Sequence, residues 1–317
     1  MIDRYVDRPE FAPVEGETLP RVLQDQGFVP PPRGFLAFVA EVRDVPGGTA
    51  CRSWDWHGTS RATGWWPAST VKVFAAAAAL DAVAREGFTA AAVAEIDEPG
   101  GTHRESIASM VQAAVGPSDN AAFDRLVWVA GHAQLRAWLA TRFPATSLWR
   151  GYSGMARDPA TGFGTLARAP AVTLREGDRS VARPGAIDEA SCDVPSHGNR
   201  TTLQDLADCL RRIARHDRLS PGERLVAREG DARLLQEALA SPRERGEGMA
   251  DGLRAAFGAG ARVLHKPGFA YDWFSDVAFV DLPAPAPSWI VAMAGRPGRD
   301  SLDAAAHHVG RLLSAGL

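Results

Sequence analysis

The sequence is poor in cysteine, in long apolar runs and in basic charge, and each shortage excludes a class of protein. Its three cysteines, Cys51, Cys192 and Cys209, are too few and odd in number for a disulfide framework, and no Cys/His spacing indicates zinc. No run approaches about 18 apolar residues, which argues against a membrane-spanning helix. A net charge of −3 supplies no basic field of the kind that nucleic-acid binding requires.

The rest of the composition is typical of a folded globular protein. The chain has 317 residues, of which 45% are hydrophobic and 23% charged, enough for one large domain or two interleaved ones. We expect a monomer that acts on a small molecule, with no metal, cofactor, nucleic-acid or membrane partner. The charged N-terminus lacks the apolar stretch of a signal peptide, so the chain as written is expected to be cytoplasmic, or periplasmic or secreted if a leader has been removed.

Lysine is almost absent, and its two positions stand out. Of the 35 basic residues, 33 are arginine and only Lys72 and Lys266 are lysine. Arginine stays protonated in proteins, whereas a buried lysine can lose its proton. The two lysines are therefore the first candidates for functional side chains.

Hydrophobic periodicity predicts strands at both ends of the chain and helices between them. Residues 34–42 and 50–56 read as a hairpin, and strands recur at 262–265, 276–281 and 289–293. Helices are predicted over 18–26, 69–85, 104–115, 119–130, 132–142, 202–215, 230–240 and 301–314. The fold class is thus α/β (α+β): a five-stranded antiparallel sheet flanked by N- and C-terminal helices, with an inserted all-helical lobe.

The predicted division assigns residues 1–68 and 203–317 to the sheet lobe and 69–202 to the helical lobe. Residues from about 150 to 200 fit no regular pattern, except for one short hairpin around 171–181. An irregular segment of that length suggests a functional loop.

The two lysines each belong to a short motif. Ser69 lies three residues before Lys72, so on a helix the hydroxyl and the amine share one face, and a neutral amine there could accept the serine proton. Lys266 begins Lys266-Pro267-Gly268 at the end of a predicted strand. Between the two lies Ser118-Asp119-Asn120, which opens a helix. Taken singly, each motif also fits a structural role: a solvated lysine, a helix cap or a strand end.

Together, these motifs resemble the serine β-lactamase and penicillin-binding protein superfamily, in which S-x-x-K, S-D-N and K-T-G occur in this order. The strands before the first motif, the segment Asn199–Ala207 and the run Ser275–Val280 resemble the class A β-lactamase branch. The likeness covers residues 15–316.

The resemblance implies a role for each motif residue. Ser69 would form an acyl-enzyme with Lys72 as its base, and Ser118, supported by Lys266, would pass a proton to the leaving nitrogen. Asn120 would orient Lys72 and bind a substrate amide. Gly268 belongs to the third motif, and the backbone N–H groups of Ser69 and Phe269 would form the oxyanion hole.

Two departures from the class A pattern affect what the chain can do. The E-x-x-L-N motif that activates the deacylating water is missing, and by position Tyr152 takes the place of its glutamate. Other carboxylates of the irregular loop could substitute for this glutamate, although surface solubility explains them as well: Asp178, Asp188, Glu189 and Asp193. Pro267 replaces a threonine whose hydroxyl helps to hold a substrate carboxylate, and proline has neither hydroxyl nor N–H.

Trp65 and Trp66 either line the pocket or pack under the sheet.

The leading interpretation is a serine acyl hydrolase that forms an acyl-enzyme on Ser69 and hydrolyses a β-lactam amide. One alternative is a D,D-peptidase, or an intracellular esterase or amidase, on the same scaffold. Another is a β-lactam-binding protein that becomes acylated without turnover.

Overall fold

A computed structural model describes residues 11–14, 19–25, 27–30, 33–154, 164–188, 198–241, 248–296 and 299–315. The chain forms two compact units. The first comprises residues 1–70, 200–224 and 242–317, and the second comprises residues 71–199 and 225–241.

The helices follow the predicted pattern closely. They are α1 (Leu19–Asp25), α2 (Lys72–Arg85), α3 (Ile107–Val115), α4 (Asn120–Ala130), α5 (His132–Arg142), α6 (Leu203–Ala214), α7 (Glu229–Ala240), α8 (Ala250–Phe257) and α9 (Arg299–Ser314). Of these, α8 was not predicted. Within the described residues, none of the helices has both the length and the apolarity needed to cross a bilayer.

The strands lie at both ends of the chain and also in its middle. They are β1 (Phe11–Pro13), β2 (Arg33–Val45), β3 (Gly48–Asp55), β4 (Val93–Glu98), β5 (Gly101–Ser106), β6 (Arg168–Ala169), β7 (Val172–Glu176), β8 (Arg179–Arg183), β9 (Ala186–Ile187), β10 (Arg262–Ala270), β11 (Trp273–Asp281) and β12 (Ser288–Arg296).

The first unit is built on one sheet in the order β1-β3-β2-β12-β11-β10. The five predicted strands pair antiparallel, and the three-residue strand β1 adds a parallel sixth strand beside β3. Strands β11 and β12 are buried along almost their whole length, as strands covered on both faces must be. One face packs on a core that includes Leu23, Trp54 and Trp289 together with residues of α8 and α9. The predicted fold class is confirmed, with one additional strand.

The second unit is not all-helical, which corrects one detail of the prediction. Helices α2, α3, α4, α5 and α7 share this unit with a four-stranded sheet in the order β5-β4-β7-β8. Residues 93–98 alternate in burial along β4, and the turn at Pro99-Gly100 connects β4 to β5. The helix predicted over 104–115 begins only at Ile107, because Ser106 caps it by accepting a hydrogen bond from the backbone N–H of Ser109.

The segment 225–241 also differs from the predicted division, which placed it in the sheet lobe. It belongs to the second unit because helix α7 packs against α3 and α2. The predicted hairpin around 171–181 is present as β7 and β8. Cys192, Glu189 and Asp193 lie outside the described residues.

Candidate active site

Ser69 lies in a single 3₁₀ turn, Ala68–Val71, which leads directly into α2. The predicted helix start at Ser69 is therefore three residues early. The turn is fixed by the carbonyl oxygen of Pro67, which accepts hydrogen bonds from Thr70 N at 3.1 Å, Thr70 Oγ1 at 2.6 Å and Ser275 Oγ at 3.2 Å. Ala68 has a left-handed φ of 46°, and Ser69 itself is half-buried. The sequence thus holds a partly exposed serine in a rigid turn.

Strand β10 approaches this turn so closely that only glycine fits at position 268. A Cβ atom on Gly268 would lie 2.5 Å from Pro67 O and 2.9 Å from Ser69 N. Gly268 pairs with Ser275 of β11, whose hydroxyl bonds to the same turn. Phe269, whose backbone N–H is the second candidate oxyanion-hole donor, is the next residue after this close approach.

Lys266 and Pro267 precede Gly268 on β10, which is the outer strand of the sheet. Proline is tolerated there because an edge strand can lack one of the backbone N–H groups that donate hydrogen bonds within a sheet. The Lys266 side chain is buried, and its Nζ donates to Pro267 O at 3.2 Å. On the same strand, His265 Nδ1 lies 3.0 Å from Asp276 Oδ2, a carboxylate oxygen that also accepts from Met249 N at 2.8 Å. These contacts fix the strand just before the third motif.

Lys72 is the first residue of α2, and its side chain is fully buried in the second unit. Its Nζ donates to Asn120 Oδ1 at 2.7 Å, to Ser118 Oγ at 3.3 Å and to the carbonyl oxygen of Ser118. The first two motifs therefore meet around one amine. Burial lowers the pKa of Lys72 from 10.5 to about 7, against the charges of Asp119 and Asp124, which raise it.

Asp119, the middle residue of the second motif, has a different role from Ser118 and Asn120, which contact Lys72. Asp119 caps α4, its carboxylate accepting from Ala122 N at 2.7 Å. Ser118 adopts a left-handed φ of 69°, a conformation rare for serine and typical of functional positions. The capping interpretation is thus correct for Asp119, whereas Ser118 and Asn120 contact Lys72.

Tyr152 lies beside Lys72. The ring centroid is 5.8 Å from Lys72 Nζ, and the ring stacks on Phe123 with centroids 4.9 Å apart. Two side chains, Asn199 and Asp124, hold the segment 149–153 that contains Tyr152. Asn199 Oδ1 accepts from Trp149 N at 2.7 Å and Arg150 N at 2.9 Å, and Asp124 binds the residues that follow.

Asp124 is a buried carboxylate that the sequence analysis missed. It accepts from Tyr152 N at 2.9 Å, from Ser153 N at 2.9 Å and from the Ser153 hydroxyl. Burial raises the pKa of Asp124, while these hydrogen bonds and the charge of Lys72 lower it. Its spacing from Asn120, four residues along α4, puts both on one helix face and could have identified it.

Of the loop carboxylates proposed as substitutes for the missing glutamate, the structure describes two, and neither is among the side chains described above as contacting Lys72. Asp188 is bound by His132 Nδ1 at 3.1 Å and Arg136 Nε at 3.0 Å, which accounts for it as a structural ion pair. Asp178 is exposed in the turn between β7 and β8. In the described part of the chain, no cluster of three His, Cys, Asp or Glu side chains is arranged to hold a metal ion.

The structure therefore brings the predicted residues together in two groups. Ser69, Gly268 and the adjacent Phe269 lie together in the first unit, with Lys266 earlier on the same strand. Lys72, Ser118, Asn120 and Tyr152 lie together in the second unit. Three supporting side chains, Thr70, Ser275 and Asp124, were not predicted.

Comparison with known proteins gives consistent results. The sequence model of the β-lactamase enzyme family matches residues 60–316, and no curated protein sequence matches the chain. An acyl-enzyme complex of a PBP-A variant with penicillin G is 18% identical, with a TM-score of 0.60 over 98% of this chain and 100% of that chain. A β-lactamase from Desulfarculus baarsii DSM 2075 is 21% identical, with a TM-score of 0.58 over 89% and 93% of the two chains. A class A β-lactamase from Bacteroides cellulosilyticus DSM 14838 is 14% identical, with a TM-score of 0.59 over 94% and 99%. At these identities the similarity establishes the fold.

Proposed function

The chain belongs to the β-lactamase enzyme family, as its motifs predicted, and from this we propose that it is a serine acyl hydrolase that forms an acyl-enzyme on Ser69. The observation that carries the proposal is Lys72. This buried amine has a pKa lowered to about 7, is held by Ser118 and Asn120, and follows Ser69 by three residues. An amine that is half neutral near pH 7 suits a general base.

In the proposed reaction, the Ser69 hydroxyl attacks an acyl carbon and gives its proton to neutral Lys72. The backbone N–H groups of Ser69 and Phe269 stabilise the oxyanion that forms. The acyl C–N bond then breaks, and Ser118 passes its proton to the leaving nitrogen while it takes the proton held by Lys72, whose Nζ lies 3.3 Å from Ser118 Oγ; Lys266 gives electrostatic support. Asn120 orients Lys72 and binds a substrate amide. Water later hydrolyses the ester and releases Ser69.

A β-lactam amide is the substrate that we propose first. Its support is the fold shared with a PBP-A variant that was solved as an acyl-enzyme with penicillin G. The second candidate is a peptidase or an esterase on the same scaffold. It is favoured by Tyr152, an aromatic ring beside Lys72 where class A enzymes have their deacylating glutamate, and by Pro267, which lacks the hydroxyl used for carboxylate recognition.

Intact-protein mass spectrometry over time tests these proposals. The protein is mixed with benzylpenicillin and, separately, with a chromogenic cephalosporin, and wild type is compared with Ser69→Ala. Ser220→Ala, which alters an exposed serine elsewhere in the first unit, is the matched control. We expect an adduct on wild type and on the control that Ser69→Ala does not form.

The lifetime of the adduct then separates the candidates. Decay within seconds together with chromogen turnover supports a β-lactamase, and a lasting adduct supports a peptidase or a binding protein. An equal adduct on Ser69→Ala would contradict the assignment of the nucleophile. If neither compound forms an adduct, β-lactam recognition is wrong, and ester substrates become the next to test.

A further inference from the structure

Two exposed aromatic rings lie at the tip of the β10–β11 hairpin in the first unit. Phe269 is 65% exposed and Tyr271 is 69% exposed, and they alone carry rings among the exposed large hydrophobic residues of the described ranges. Tyr271 has a left-handed φ of 57°, which is unusual for a bulky side chain. An exposed ring held at a conformationally costly position makes this hairpin tip a candidate binding surface.

Trp66 adds a third ring to this surface. It is half-buried and packs edge-to-face on Tyr271 with ring centroids 5.0 Å apart. Phe269 packs on Phe274 with centroids 6.2 Å apart, so the surface rings rest on further aromatic side chains. We call Trp66, Phe269 and Tyr271 the aromatic platform.

The platform is joined to the backbone around Ser69 at two points. Trp66 precedes Ser69 by three residues, and Phe269 follows Gly268, whose Cβ position lies 2.9 Å from Ser69 N. Both connections pass through the rigid turn that Pro67 O fixes. The rings are therefore carried by the turn and the strand that hold Ser69 and Gly268.

The arginine beside the hairpin tip does not favour an anionic ligand. Arg296 lies over the Trp273 ring at 4.5 Å and pairs with Asp272 at 3.3 Å, so this cation already has a carboxylate partner. Pro267 offers no hydroxyl for a carboxylate. The chemistry that matches three aromatic rings is an uncharged aromatic or large apolar group.

We propose that the aromatic platform binds an aromatic or large apolar substituent of the acyl group, so that the preferred substrates are esters or amides of bulky uncharged acids. This rests on the proposed function, in which Ser69 is acylated. For an ester, the bond from Ser69 Oγ to the acyl carbon forms, the ester C–O bond breaks, the alkoxide leaves, and the serine proton goes to Lys72.

Two esters with the same leaving group test the proposal. Release of p-nitrophenolate is measured with p-nitrophenyl acetate and p-nitrophenyl phenylacetate, and the adducts are mapped by mass spectrometry. We expect kcat/KM to be at least about tenfold higher for phenylacetate, as is typical when an apolar group is recognised. Using the ratio cancels leaving-group effects.

Substitutions on the platform should reduce this ratio. Tyr271→Asn removes a ring while keeping a residue type that tolerates the left-handed backbone, and Phe269→Ala provides a second, independent variant. We expect each to lower the phenylacetate-to-acetate ratio at least threefold. Val45→Ala shortens an exposed apolar side chain at the end of β2 and is the matched control, with an unchanged ratio.

The possible failures separate this proposal from the proposed function. Acylation of Ser69 by benzylpenicillin, combined with no reaction with either ester or a ratio near one, would overturn the platform and leave the nucleophile in place. No adduct from any of the three compounds would overturn both. A dimer in sedimentation velocity that Tyr271→Asn dissociates would instead assign the platform to self-association.

Discussion

Acylation of Ser69 is predicted to follow the titration of Lys72. Burial lowers the pKa of this lysine from 10.5 to about 7, because the charged amine is removed from water in the second unit. At pH 7 about half of the molecules then hold a neutral amine, compared with roughly one in 3,000 for an ordinary lysine. Only the neutral amine can accept the serine proton.

The acylation rate should therefore rise about tenfold per pH unit below pH 7 and level off above about pH 8. The rate is measured by quenched-flow mass spectrometry from pH 5.5 to 9, with a melting curve at each pH to confirm that the protein stays folded. Lys72→Arg keeps the charge but cannot become neutral, and should slow acylation by about 10²- to 10⁴-fold.

Three results would contradict this reasoning. A flat rate from pH 5.5 to 8 would mean that Lys72 does not gate acylation. A midpoint near 10 would mean that the amine remains solvated. A Lys72→Arg variant with the wild-type rate would remove the general base from the proposed mechanism.

Three further predictions follow from the same contacts. Because the folded pKa of Lys72 is depressed, the unfolded state binds more protons than the folded state between pH 7 and 10.5, and the free energy of unfolding should rise by about 1.4 kcal/mol per pH unit in that range. Urea titrations measure this slope, and Lys72→Met should abolish it. Asp124→Asn removes a negative charge that raises the pKa of Lys72, so the rising limb of the acylation profile should move to lower pH, whereas Ser153→Ala, which keeps the charge, should leave the limb in place. Gly268→Ala should abolish acylation and lower the melting temperature, since its Cβ would lie 2.5 Å from Pro67 O; normal acylation by this variant would show that the turn and the strand can separate.

Local patterns were enough to predict much of the fold, because burial of a strand or helix face leaves a periodic trace in the sequence. The five antiparallel strands of the first sheet and helices α2, α4 and α5 were predicted for this reason. Strands β4 and β5 were missed, although residues 93–98 alternate and Pro99-Gly100 marks the turn. Residues 86–103 were assigned to no element, and residues 104–106 at the end of β5 were included in the predicted helix 104–115.

The sequence was enough to propose candidate site residues, but it did not reveal the contacts that hold them in place. Ser69, Lys72 and Ser118 stand in short motifs whose order along the chain, together with the scarcity of lysine, made them candidates. The role of Asp124 depends on backbone N–H groups 28 and 29 residues further along the chain. The requirement for glycine at 268 depends on a turn about 200 residues earlier. Such long-range contacts leave no local pattern, so only the folded structure reveals them.

Acylation and deacylation place different demands on this site. The carboxylates whose charges act on Lys72 are Asp119 and Asp124. Asp119 caps α4, and both oxygens of Asp124 accept hydrogen bonds from Tyr152 and Ser153. Each carboxylate therefore already has a structural role.

If the proposed function is correct, Lys72 is the group in the described part of the second unit that we expect to activate water as well as serine. In that mechanism it would hold the serine proton after acylation, and would have to pass this proton to the leaving group before it could act again. A single amine serving both steps makes the lifetime of the acyl-enzyme depend on how quickly Lys72 returns to its neutral form. Its pKa of about 7 allows this return near neutral pH.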